Sequence, residues 1–83
     1  MKIYEITLET DSLWLLEHDP IEYSPEYDWD SICEMPEFLT MRCHDDVMAM
    51  IVVITDNIEK IIEKINGYVP ESCEVNNRLL REL

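Results

Sequence analysis

The chain has 83 residues, of which 47% are apolar, and it carries a formal net charge of −13 at pH 7. This length allows one domain with a small core, and the apolar content excludes the hydrophobic-poor composition of a disordered acidic tail. Direct binding to nucleic acid is also excluded, because phosphates would repel a chain of this charge.

The N-terminal part of the chain is expected to form a β-hairpin. Residues 2–9 alternate between apolar and polar side chains, as in a strand with one buried face. Thr10, Asp11 and Ser12 are typical of a turn. Residues 13–16 then fit either the returning strand of a hairpin or a short helix capped by Asp11, and we favour the strand.

Residues 17–37, called the acidic segment below, are predicted to form a long loop. The segment has neither a helical nor a strand period, and three prolines interrupt it. A loop of this length is uncommon inside a small domain and is usually functional. Five apolar side chains are expected to hold it against the domain, namely Ile21, Tyr23, Tyr27, Trp29 and Ile32.

A second hairpin is predicted after the acidic segment. Residues 38–43 and 47–54 have strand-like composition and are joined by His44, Asp45 and Asp46. Because the second of these runs is apolar on both faces, we expect it to lie centrally in the sheet.

The C-terminal third of the chain is predicted to form two helices. The first carries isoleucines at helical spacing from Ile58 to Ile65, with a capping box at Asp56 and Glu59 and a natural end at Gly67. The second is expected to start at a Ser cap and to have charges that match the helix dipole. Its cap and apolar stripe are Ser72, Val75, Leu79, Leu80 and Leu83.

These patterns together predict an α+β fold. An antiparallel sheet of three or four strands would be covered on one face by two C-terminal helices, with the long acidic loop of residues 17–37 at one edge. All 83 residues would belong to this single domain.

The charge is distributed unevenly along the chain. Between Lys2 and Arg42 no Lys or Arg occurs in 39 residues, of which eleven are Asp or Glu. The first 41 residues carry a net charge of −10, and the remaining 42 carry −3. A solubilising surface would explain acidity, but it does not explain why no basic residue is interspersed over half the chain.

We interpret the carboxylates of the acidic segment as imitations of nucleic-acid phosphates. On an extended segment, Glu26, Asp28 and Asp30 would lie about 6.6 Å apart, or about two axial phosphate steps of ~3.4 Å. Aromatic side chains among the acids suit a protein interface, although they could instead hold the loop against the sheet. The predicted partner-binding residues are Glu17, Asp19, Glu22, Glu26, Tyr27, Asp28, Trp29, Asp30, Glu34 and Glu37.

No enzyme active site, metal site or cofactor is expected. The sequence 28–31 lacks most ligands of a calcium loop, and no His or Cys pair has zinc-finger spacing. Cys33, Cys43 and Cys73 are odd in number and widely spaced, which does not indicate a disulfide framework, and they are expected to be reduced. No nucleophile elbow or phosphate-binding Gly loop occurs.

In size and charge the chain resembles the DNA-mimic inhibitors that bacteriophages and mobile elements use against host defence. These include anti-CRISPR and anti-restriction proteins and uracil-DNA glycosylase inhibitors. The resemblance is one of class; it implies a partner such as a CRISPR effector, restriction enzyme or repair enzyme, and it assigns no residue roles. Two alternatives stay open, namely an immunity protein or antitoxin that neutralises a basic toxin, and a small acidic structural or regulatory dimer.

A cytoplasmic protein is expected. The longest apolar run, residues 47–54, is far shorter than the ~20 residues that cross a bilayer, and anionic lipid surfaces would repel the acidic chain.

Overall fold

Seven helices and strands follow one another in the computed structural model, which describes all 83 residues. They are β1 (Lys2–Glu9), a 3-10 helix (Ser12–Leu16), α1 (Trp29–Glu34), β2 (Phe38–Asp45), β3 (Met48–Thr55), α2 (Ile58–Asn66) and β4 (Glu74–Glu82).

The four strands form one antiparallel sheet in the order β2-β3-β1-β4. β1 pairs with β3 on one side and with β4 on the other, so both of its edges are occupied. The predicted strand over residues 2–9 is confirmed, as is the hairpin of β2 and β3. The expected interior position of the second hairpin strand is also confirmed, because β3 lies between β2 and β1.

The core lies on one face of this sheet. Ile6 pairs with Ile51 and Leu8 pairs with Ala49, so the buried side chains of the two inner strands share that face. The 3-10 helix, the acidic segment and α2 cover it. The thirteen buried apolar residues are Ile6, Leu8, Trp14, Ile21, Tyr27, Ile32, Met35, Ala49, Ile51, Val53, Ile61, Ile65 and Cys73.

The opposite face of the sheet, called the free face below, has no such cover. Along β3 and near the start of β1 it carries five partly exposed apolar side chains that belong neither to the core nor to the partly buried hydrophobic side chains packed against it. They are Ile3, Met48, Met50, Val52 and Ile54.

The predicted returning strand at residues 13–16 is wrong. These residues lie in the 3-10 helix, which begins after Asp11, whose carboxylate accepts a hydrogen bond of 2.8 Å from the backbone N–H of Leu13. A returning strand would need a free edge of β1, and β3 and β4 occupy both edges. Only Trp14 of this helix is buried.

The predicted final helix over residues 72–83 is also wrong, because this part of the chain forms β4. β4 pairs with β1 from Glu74 opposite Glu9 to Glu82 opposite Lys2. Val75 and Leu79 are four residues apart, a spacing that places side chains on one face of a helix and also on one face of a strand. The backbone hydrogen bonds offered by the free edge of β1 decide between the two. The two helices of the fold are therefore α1, inside the acidic segment, and α2.

The helix at residues 58–66 is confirmed, but its cap differs from the prediction. The N-cap is Asn57, whose side chain accepts a hydrogen bond from the backbone N–H of Lys60. Asp56 lies instead 3.1 Å from the N-terminal amine. The predicted end at Gly67 is confirmed, since its backbone N–H donates to the carbonyl of Lys64.

We expect the Ile6→Ala variant to lower the free energy of unfolding by about 3 kcal/mol, because it leaves a cavity in a fully buried site. Leu16→Ala removes the same kind of side chain at a position that is 79% exposed and should change stability by less than about 0.5 kcal/mol. Urea denaturation followed by circular dichroism measures both. Equal losses in the two variants would contradict the assigned core.

Candidate partner-binding surface

The acidic segment contains a helix and is not the uninterrupted loop that the sequence predicts. α1 begins at Trp29 because Asp28 caps it. One carboxylate oxygen of Asp28 accepts from the backbone N–H of Ser31 at 3.1 Å, and the other accepts from the Ser31 hydroxyl at 2.7 Å. These two hydrogen bonds hold the pKa of the Asp28 carboxyl below its usual value.

The predicted extended spacing of Glu26, Asp28 and Asp30 is therefore wrong. Asp28 forms the cap of α1 and Asp30 lies in its first turn, so the three residues do not share one strand-like run. The local hydrogen bonds of Asp28 favour the helical turn over extended backbone. The carboxylates thus project from a folded surface with a spacing set by turns and a helix.

Buried apolar side chains hold the acidic segment against the sheet, as predicted for four of five residues. Ile21, Tyr27 and Ile32 are buried, and Trp29 is partly buried with its indole N–H donating to the carbonyl of Ile21 at 2.8 Å. The rings of Tyr27 and Trp29 stack with centroids 5.3 Å apart. The prediction is wrong for Tyr23, which is 72% exposed.

Trp14 is a further contact of the segment that the sequence interpretation missed. Its indole N–H donates to the carbonyl of Asp19 at 2.8 Å, and its ring stacks on His18 with centroids 3.6 Å apart. It also meets the edge of Tyr27 at 5.9 Å. A large aromatic residue just before the acidic segment was the available signal, but the assignment of residues 13–16 to a strand obscured it.

Two backbone hydrogen bonds also join the segment to distant parts of the chain. The N–H of Ile21 donates to the carbonyl of Asp46, in the turn between β2 and β3. The N–H of Asp28 donates to the carbonyl of Tyr68, just after α2. These hydrogen bonds therefore fix the backbone of the segment at Ile21 and at Asp28.

Most carboxylates of the segment have no basic partner. Of its eight acids, Glu26 lies 3.2 Å from His18 and Glu37 lies 3.6 Å from Lys64. The other six are exposed and form no ion pair within 4 Å, namely Glu17, Asp19, Glu22, Asp28, Asp30 and Glu34. Their negative charge is therefore not neutralised by a basic side chain of this protein.

The structure brings most of these carboxylates around two adjoining surface depressions that share Ser24 and Pro25. The first has a volume of about 410 Å³ and is lined by Leu15, Leu16, Glu17, His18, Asp19, Ser24, Pro25 and Glu26. The second has a volume of about 430 Å³ and is lined by Glu22, Tyr23, Ser24, Pro25, Tyr27, Asp28, Trp29 and Asp30. Each is lined by three carboxylates. Glu34 and Glu37, also predicted as partner-binding residues, line neither depression.

The aromatic residues of the predicted surface separate into buried and exposed ones. Tyr27 is only 4% exposed, and burial raises the pKa of its phenol well above the usual range. Its hydroxyl is buried and has no hydrogen-bond partner of suitable distance and angle. The side chains of Cys73 and Thr10 lie close enough to affect its pKa. Tyr23 and the exposed part of Trp29 are the rings that a partner can contact at the second depression.

No group of three or more His, Cys, Asp or Glu side chains is arranged to hold a metal ion. Neither helix is long and apolar enough to cross a membrane. No protein-family model, curated protein or solved structure matches this chain. The function is therefore inferred from the surface itself.

Tyr27→Phe should leave the free energy of unfolding unchanged or raise it by up to about 1 kcal/mol, because it removes a buried hydroxyl that has no hydrogen-bond partner. Tyr27→Ala should lower it by about 3 to 5 kcal/mol through the cavity it leaves. Urea denaturation compares the two. A loss of more than about 1.5 kcal/mol in Tyr27→Phe would show that the hydroxyl makes a needed bond.

The Asp28 cap should make stability depend on acid pH. Its pKa in the folded protein is lower than its ordinary value of 3.8, so its stabilising effect is complete above that value and is lost as the pH falls through the lowered pKa. The stability difference between wild type and Asp28→Ala should therefore shrink on acidification in thermal melts. Ser31→Ala, which removes the shorter of the two hydrogen bonds, should weaken this dependence; an identical pH profile would contradict the assignment.

Proposed function

We propose that this protein is a non-catalytic inhibitor that imitates nucleic acid. The acidic segment binds the basic nucleic-acid groove of a host DNA- or RNA-binding protein, such as a CRISPR effector, a restriction enzyme or a repair enzyme, and blocks access of the natural substrate. The inhibitor is of the phage or mobile-element type and acts in the host cytoplasm. The observation that carries the proposal is the group of six exposed carboxylates without ion pairs on an anchored segment.

The unpaired charges favour a binding role because they are costly to the isolated chain. Like charges on one surface repel one another and destabilise the compact state. A basic partner would remove this repulsion and would be attracted over distances of about a Debye length, about 8 Å at physiological salt. The acidic segment is therefore suited to fast, salt-sensitive association with a cationic groove.

The anchoring of the segment supports the same role. The indole hydrogen bonds of Trp14 and Trp29 and the burial of Tyr27 fix the backbone that carries the carboxylates. A surface that is already ordered loses less conformational entropy on binding than a mobile loop. The carboxylates can thus be presented in one arrangement, as phosphates are on a duplex.

Apolar contacts are available beside the charges. Leu15 and Leu16 line the first depression and are exposed, and Tyr23 lines the second. Protein interfaces commonly combine an apolar centre with a polar rim. The sequence predicted Tyr27 as a partner-binding residue. In our proposal Tyr27 does not contact the partner; it is buried and holds the acidic segment against the core.

The decisive experiment compares two triple variants that remove the same charge at different places. Asp19→Asn, Glu22→Gln and Asp30→Asn together neutralise exposed acids of both depressions. Glu59→Gln, Glu63→Gln and Glu71→Gln neutralise three exposed acids outside the segment. The immobilised wild-type chain should capture a basic nucleic-acid-binding protein from host lysate, and duplex DNA or RNA should displace it.

With the captured protein purified, the first triple variant should associate about 10-fold or more slowly and with a weaker dependence on salt. The control variant should keep an on-rate within about 3-fold of wild type, because its charges lie away from the contact. Surface plasmon resonance at several salt concentrations measures both. Equal losses in the two variants, or a partner that nucleic acid does not displace, would contradict imitation of nucleic acid; a captured toxin would instead support the immunity-protein alternative.

A further inference from the structure

The free face of the sheet differs in chemistry from the rest of the surface. The strand register places all three arginines of the chain there, with Arg42 opposite Met50, Arg78 opposite Glu5 and Arg81 opposite Ile3. The three lysines lie elsewhere. Lys2 pairs with Glu82 on the covered face, and Lys60 and Lys64 are on α2.

The free face is also close to electrical neutrality. By register it holds four acids against the three arginines, and these acids are Glu5, Glu9, Asp45 and Glu74. Arg78 donates a hydrogen bond of 3.2 Å to Glu5, so one pair is already neutralised within the chain. The remaining surface therefore carries nearly all of the net charge of −13.

We propose that the free face is the interface of a homodimer in which two sheets pack face to face. The five apolar side chains of each copy, four of them in a row on β3, would form a shared second core, as in a β-sandwich whose sheets lie about 10 Å apart. Charged side chains of β2 on one side, and of β1 and β4 on the other, would flank this row. Arg and Met are enriched in protein interfaces and Lys is depleted, which is the composition seen here.

The size of the face agrees with this assignment. Strands of eight residues are about 26 Å long, and four strands spaced about 4.8 Å apart span roughly 20 Å, which gives roughly 500 Å² of sheet plane. Projecting side chains raise the accessible area above this planar value. A biological interface needs to bury about 1,000 Å² in total, or about 500 Å² on each partner, so the face reaches the lower size limit of a dimer interface.

Charge favours the free face over the acidic segments as the contact between two copies. Two chains of net charge −13 repel each other, and contact through the acidic segments would bring unpaired carboxylates together. The free face is the broad surface where acids and bases nearly balance and where β3 presents a row of apolar side chains. Packing there points the two acidic segments away from each other, so the dimer presents two separate surfaces for binding.

Sedimentation equilibrium of the full chain tests the dimer. The wild type should have twice the monomer mass of 9.9 kDa at micromolar concentration. Met50→Glu should raise the dimer dissociation constant about 100-fold or more, because it buries a carboxylate in each half of the apolar interface. Leu13→Glu, which adds the same charge at an exposed position on the opposite side and outside both depressions, should change that constant by less than about 3-fold.

Salt gives an independent readout. Raising NaCl from about 50 to about 500 mM should strengthen the dimer, because it screens repulsion between the two acidic chains. A dimer that weakens with salt, or a wild type that stays monomeric, would overturn the proposal.

If Met50→Glu does not fold, isotope-filtered NMR of the wild-type protein tests the same interface. Intermolecular contacts should connect the methyl groups of Met48, Met50, Val52 and Ile54 with their counterparts. Contacts found only at other surfaces would overturn the assignment of the free face.

Discussion

The pairing of β1 with both β3 and β4 is the interaction on which the rest of the structure depends. It places Ile6 and Leu8 beside the buried residues of β3 and so creates one apolar face that must be covered. No strand remains to cover that face, because all four lie in the same sheet. The 3-10 helix, the acidic segment and α2 supply the cover, and this requirement ties the most charged part of the chain to its core.

The acidic segment consequently has two roles that are carried mostly by different side chains. Its buried residues, among them Ile21, Tyr27 and Ile32, contribute to the core, while its carboxylates, apart from the partly buried Glu37, are exposed. Asp28 has both roles, because its exposed carboxylate also caps α1. The indole N–H groups of Trp14 and Trp29 bind backbone carbonyls within the segment and orient it. Stability thus comes from apolar contacts and hydrogen bonds, and the carboxylates are free to remain without ion pairs. This separation makes a dense group of like charges compatible with a folded domain of this size.

The covered and free sides of the sheet suit different kinds of contact. The covered side presents unpaired carboxylates and suits a cationic groove, whereas the free side presents apolar side chains and arginines and suits a second sheet. In our proposal, a dimer formed through the free face would bind two partner molecules without placing its acidic surfaces against each other.

Local patterns in the sequence determined the strand at residues 2–9, the β2–β3 hairpin, α2 and the uneven charge, because each depends on short-range periodicity or on composition. Tertiary structure alone decided that residues 74–82 form a strand. The spacing of their apolar side chains fits both a helix and a strand, and pairing with the edge of β1 selects the strand. It also decided which aromatic rings are buried: Tyr23 and Tyr27 each follow a glutamate in the same segment, but only Tyr27 reaches the core. The sequence located the acidic residues, whereas their arrangement follows from α1 and from the contacts that hold the segment against the sheet. The neutrality of the free face follows from strand pairing between distant residues.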